Sequence, residues 1–252
     1  MMELDFLTDD SDKSLAPFFS PRILFASYGI VVIVGILLLL VWPRKPSLDF
    51  ISVNSIPKHF FLITAASLIL HAYVSLHCGR GEMAKRDYLD RFDRKEVPLE
   101  KKRNFFTYGM ITFLAHSLFL LFPFLPLFFL SASISGISLV DTAGAILIIF
   151  TASLLCRMFG FTTYLIWGWW KVTGYLIGIA LAIYFILISA ILTPEINPIL
   201  LLYKLNTSVG GSGFFFTDEY QWYMRMMVSG IIFFVLVNYF LIRRHMKKEK
   251  VL

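Results

Sequence analysis

Hydrophobic positions fall into six long runs, none interrupted by a charge at its centre: 23–43, 60–78, 105–131, 140–166, 172–193 and 226–242. Each meets the minimum of about 17 residues that a helix needs to cross a hydrocarbon core. Within a run such as LIIFTASLL the apolar residues are continuous instead of alternating with polar ones, which excludes a transmembrane barrel. The pattern predicts an all-α, polytopic membrane protein: one six-helix transmembrane domain over residues 1–252.

Local features refine the six elements. Pro17 and Pro21 flank Phe18 and Phe19, which suits either an interfacial segment before the first span or an unstructured tail. That span ends at Pro43-Arg44-Lys45 with no small-residue cleavage site, so it reads as retained. In the third span, Pro123 and Pro126 each remove a helical N–H, so a kink or break is expected there. Gly174, Gly178 and Ala182 form a small-residue stripe on the fifth span, a face for close helix packing, with the neighbour left open. The loop 194–225 contains the apolar stretch Pro198 to Tyr203, too short to span, and predicts an interfacial or re-entrant helix followed by a Gly210–Gly213 hinge. No internal repeat is visible.

Composition and charge add sidedness. Hydrophobic residues make up 58% and charged ones 16%, against about half and about a quarter in soluble domains. Nine Lys or Arg lie in 80–103, and the tail carries Arg243, Arg244, Lys247, Lys248 and Lys250. The turn 131–140 has none, and the loop 194–225 has only Lys204 and Arg225 against three acids. Positive loops face the cytoplasm, so both termini and the 80–103 island are assigned inside. Arg44, Lys45 and Lys58 in the first outward loop run against that rule. The net charge of +6 follows from this asymmetry and argues against nucleic-acid binding. Cys78 and Cys156 lack CxxC spacing and read as buried thiols.

Within the island, Ala84, Tyr88 and Phe92 recur at helical spacing with Leu89 beside them, and charges fill the other positions. The pattern describes a short amphipathic helix over 82–96, broken at Pro98 before the basic Lys101-Lys102-Arg103 enters the third span. A solvated, helix-anchoring loop would also be charged. The order of elements, however, resembles the permease subunits of type-2 ATP-binding-cassette exporters. Gly81-Glu82, Tyr88-Leu89-Asp90-Arg91-Phe92 and Pro98-Leu99-Glu100-Lys101 stand where that family has a Gly-acidic stretch, a leucine-rich coupling helix and a Pro-(Leu/Val)-x-basic step. The Gly-Thr-Leu-Glu run common there is absent.

That resemblance implies an exporter subunit in a cell membrane, a bacterial inner membrane, with a second permease copy and a separate ATPase carrying ATP and Mg. Glu82, Arg86, Tyr88, Leu89, Arg91 and Phe92 would contact the ATPase, and Pro123 and Pro126 would shape the pathway. This chain has no GxxxxGK(S/T) phosphate-binding loop, so it is read as a non-enzyme with no cofactor of its own and with lipids around it. The alternative is a haem-binding or haem-handling protein that uses His71 and His116, two intramembrane histidines. Trp167 to Lys171 reads as an interfacial aromatic belt instead of a haem-handling loop. Gly211-Ser212-Gly213 has no intramembrane histidine base downstream, which argues against a serine protease. A scaffold without transport would need neither the broken span nor the island.

Overall fold

The computed structural model describes residues 29, 31–36, 57–85, 114, 117–167, 171–207 and 217–248. All their regular structure is helical. Helix α1 spans Pro57–Lys85, with Pro57 in the first turn, where its missing N–H costs no bond. Residues 117–121 are helical and lead through a 3₁₀ turn, Phe122–Phe124, into α2, Leu125–Ser135. Helix α3 is Leu139–Trp167. Helix α4 starts as Lys171–Ile183, passes through a π turn, Tyr184–Ile188, and closes with Ser189–Leu192. A 3₁₀ turn, Pro194–Ile196, precedes α5, Pro198–Thr207, and α6 is Asp218–Lys248.

Five stretches are long and apolar enough to cross a membrane: His59–Gly79, Ser117–Ser135, Leu139–Trp167, Val172–Leu192 and Asp218–Leu241. The architecture is that of a polytopic α-helical membrane protein. Of the predicted first span, Gly29 and residues 31–36 are described, as helix with Val34 buried, and the rest lies outside the described residues.

Contacts between helices give their directions. At one end, which we call the loop end, His59 Nδ1 lies 2.9 Å from Ser131 Oγ and the Phe60 N–H donates to Ser135 Oγ. The Phe61 and Tyr203 rings meet edge to face there, which seats α5 beside the start of α1. At the other, basic end, Gly79 touches Arg157 and Tyr175 OH lies 3.1 Å from His77 Nε2. Helices α1 and α3 therefore run in one direction, and α2 and the first half of α4 run the other way. Asn238 meets Thr162, so α6 runs with α3 and carries its Lys248 terminus toward the same end as Lys85.

Two boundaries differ from the sequence reading. The third span reaches Ser135, not 131, because its end is closed by a Schellman turn: Gly136 takes φ 65°, and the Ile137 N–H donates to the Ala132 carbonyl. Ser138 then caps α3 by accepting from the Asp141 N–H at 3.0 Å while its hydroxyl donates to the Asp141 carboxylate. The sixth span begins at Asp218 instead of 226. The Thr217 carbonyl accepts from the Gln221 N–H, and Asp218 and Glu219 occupy the first turn, where negative charge suits the helix dipole.

Replacing Gly136 with Ala places a Cβ in the left-handed region, at a cost of about 1–2 kcal/mol. Thermal unfolding of the purified protein in detergent should show a lowered midpoint for Gly136→Ala. Gly35→Ala, where an added Cβ meets nothing within 4 Å, should leave the midpoint in place.

Candidate functional site

Polar side chains recur on one face of α1: Thr64, Ser67, His71 and Ser75, at helical spacing and all buried. A buried polar group in an apolar medium is costly without a hydrogen bond, yet the Ser67 hydroxyl stands without one, whereas Thr64 turns to its own helix. Thr64 Oγ1 donates to the Phe60 carbonyl at 2.8 Å. His71 reaches further, and the prolines explain why. Pro123 has no N–H, and the 3₁₀ turn at Phe122–Phe124 draws hydrogen bonds one residue tighter, with the Leu125 N–H taking the Phe122 carbonyl. Carbonyls just before the turn then lack their helical donors. His71 Nε2 lies 3.3 Å from the Leu120 carbonyl oxygen, and His71 Nδ1 lies 2.7 Å from that of Ser67. A neutral imidazole has one N–H and donates to one of these carbonyls at a time; as the Nε2–H tautomer it ties α1 to the broken helix, with the Phe124 ring edge-on against it.

Arg157 faces the same break from the other side. It is fully buried on α3, and its Nη1 donates to Ser117 Oγ at 3.2 Å. The 140–166 run therefore holds a charge in its second half, off its centre. A fully buried arginine inside a spanning helix is costly and rare, so its presence marks a built feature. The signal was visible as the lone cation in LLCRMF.

Helices α1 and α3 meet backbone to backbone at this level. A Cβ on Gly79 would lie 2.2 Å from the Arg157 carbonyl oxygen, a distance no side chain can occupy. Glycine is required here for helix approach. The predicted small-residue stripe on α4 finds its neighbours within the chain: a Cβ at Gly178 would meet Thr163 Oγ1 at 3.2 Å and Leu76 at 3.4 Å. Gly174 and Ala182 are buried on the same face. On the far side of α3, the Thr162 hydroxyl sits 2.8 Å from the Met158 carbonyl and 2.9 Å from Asn238 Oδ1, linking α3 to α6.

These contacts form a polar seam through the bundle: His59 and Ser131 at the loop end, His71 and Leu120 in the middle, Arg157 and Ser117, then His77 and Tyr175 at the basic end. Its chemistry is hydrogen bonding by imidazoles, hydroxyls and one guanidinium. Among the described residues no three His, Cys, Asp or Glu side chains gather as metal ligands would. The seam contains His71, whereas His116 lies outside the described residues. Pro123 and Pro126 sit at the helix break itself. Glu82 lies on α1 with its side chain outside the described ones, and Arg86, Tyr88, Leu89, Arg91 and Phe92 lie outside the described residues, as does the Gly210–Gly213 hinge. His59, His77, Arg157 and Asn238 were passed over in the sequence, although each is a polar residue in or at the edge of an apolar run. Comparison with protein-family models, curated proteins and solved structures finds no match.

Gly79→Ala should force α1 and α3 apart at a cost of about 1–3 kcal/mol, the usual range for overpacking a core. Thermal unfolding in detergent would show it, and Gly79→Ser should fare no better because the clash is at Cβ.

Proposed function

We propose that the chain is the membrane-spanning permease subunit of an ATP-binding-cassette exporter, coupled through residues 80–103 to a separate ATPase subunit. One observation carries this reading: α1 is a single helix from the buried seam through Gly79 to Lys85. At 29 residues it is about 43 Å long, well beyond a hydrocarbon core of roughly 30 Å. The charged island is therefore not hung on a flexible loop at its first residues. Its start, Arg80 to Lys85, is the end of a membrane helix, which makes α1 a rigid lever for any protein that grips the island.

The lever has a load. Because Gly79 lies against the Arg157 backbone, a push on α1 bears directly on α3, and His71 carries it to the broken third span. Closure of an ATPase dimer on the coupling segment, with Tyr88, Leu89 and Phe92 in its cleft and Glu82, Arg86 and Arg91 at the rim, would shift α1 and α3 together. The break at Pro123 and Pro126 supplies the place where the third span yields. The ATP and magnesium ion belong to the partner, and this chain contributes no catalysis. Exposed apolar residues of α6, among them Trp222, Ile232, Phe233, Leu236 and Phe240, suit lipid or a second permease copy. Positive charge at the end reached by α1 and α6 favours a cytoplasmic setting for that end, with the membrane being a bacterial inner one under this reading.

The haem alternative is less well supported by the geometry. Both ring nitrogens of His71 are turned to backbone carbonyls, so ligation of iron would cost the bridge to Leu120.

Two measurements test the proposal. Pull-down through a tagged C-terminus should recover an ATPase subunit, and Arg86→Glu with Arg91→Glu and Phe92→Ala should abolish recovery while leaving the permease in the membrane. Unchanged recovery would remove the coupling role. The visible spectrum of the purified protein should have no Soret band, and a band that survives washing would overturn the permease reading in favour of haem.

A further inference from the structure

At the loop end, one side chain ties α5 to α4. Asn197 is fully buried. Its Oδ1 accepts from the Leu200 N–H at 2.7 Å and caps α5, while its Nδ2 donates to the Ile186 carbonyl and to Ser189 Oγ, both at 2.8 Å. Both acceptors lie at the π turn. In α register the Ser189 N–H would take the Phe185 carbonyl, but here it reaches back to Tyr184. The Ser189 hydroxyl donates to the Phe185 carbonyl at 2.5 Å. That bond aims the lone pairs of Ser189 Oγ at Asn197. The π register, the Ser189 rotamer and the seat of α5 therefore form one hydrogen-bonded unit.

We propose that Asn197 is a latch, and that α5 is a lid held over the loop end of the bundle by the π register of α4. The alternative state is a regular α-helix. There the Ser189 N–H returns to the Phe185 carbonyl, and the helix beyond turns by about 100° relative to the preceding part. The turn carries Ser189 away from Asn197 and frees α5. Apart from the latch, α5 is held by the burial of Leu201, Leu202 and Leu205, by the Phe61–Tyr203 ring contact, and on its open side by the exposed Lys204–Glu219 ion pair at 2.8 Å, which contributes little in water. Lifting α5 uncovers Leu201, Leu202 and Leu205, and with them the start of α1. The latch concerns this end of the molecule alone and stands whether or not an ATPase docks at the other.

The test reads opening by thiol labelling of the full-length protein in nanodiscs, where both faces are accessible. In a background with Cys78 and Cys156 replaced by Ala, Leu202→Cys reports the underside of the lid, Tyr203→Cys its exposed face and Ile149→Cys the buried core. Asn197→Ser keeps a capping oxygen but loses the amide that reaches Ile186. A polar maleimide should modify Leu202→Cys slowly with Asn197 present and about tenfold faster with Asn197→Ser, the change expected for losing one buried hydrogen bond. Ser189→Ala, which removes the hydroxyl serving Phe185, should accelerate it as well. Ile149→Cys should remain protected throughout. If Tyr203→Cys reacts but Leu202→Cys is modified at the same rate in both variants as without them, α5 is fixed and the latch is wrong. If Asn197→Ser also exposes Ile149→Cys, the variant has unfolded and Ser189→Ala alone decides the matter.

Discussion

A lipid interior offers no hydrogen bond to a backbone group, and this bundle is arranged around that deficiency. Wherever a spanning helix leaves regular α register, a side chain from elsewhere replaces the lost partner. The proline break in the third span presents the Leu120 carbonyl to His71, and the π turn in α4 presents the Ile186 carbonyl to Asn197. Each repair joins two elements that would otherwise touch only through apolar packing. Irregularity and cohesion have the same origin here: a straight set of helices would have no call for a histidine at 71 or an asparagine at 197.

Packing supplies the second constraint. With lipid outside and Leu, Ile and Phe inside, burial of apolar surface does little to favour one helix pairing over another, so close approach decides. Gly79 lets α1 meet the α3 backbone, and Gly178 lets α4 meet both. The buried interior of α3 is the common wall: α1, α4 and α6 all lie on it. This explains why Arg157 is tolerated, since a guanidinium enclosed by helices on several sides is shielded from lipid and within reach of Ser117.

Much of the fold was legible because membrane crossing requires length and apolarity, properties that single residues carry openly. The prolines at 123 and 126 announced the break in the same way, since the missing N–H is a property of the residue itself. The start of the sixth span was not read correctly because Gln221 and Arg225 look like loop residues until Thr217 is recognised as a cap; hydropathy sees the apolar run and not its polar first turn. Arg157 was hidden by averaging, its charge diluted by the apolar residues around it. The partners of His71 and Asn197 could not be read at all. They are backbone carbonyls whose availability depends on register shifts in other helices, and backbone groups leave no trace in the identity of a residue. The neighbour of the Gly174, Gly178 and Ala182 stripe was likewise unreadable, because small residues advertise that something comes close without naming it.

The link between Thr162 and Asn238 bears on how the molecule is put together. Helix α6 presents most of its apolar surface outward, and this polar contact is among the few that hold it to α3. It is made after the other four described spans. A newly inserted α6 can therefore sit in the bilayer as an independent helix, stable in lipid by its own backbone bonds, and dock afterwards when Asn238 finds Thr162. Asn238 then acts as a register mark for assembly: a polar group that pairs at one depth fixes how far along α3 this helix comes to rest.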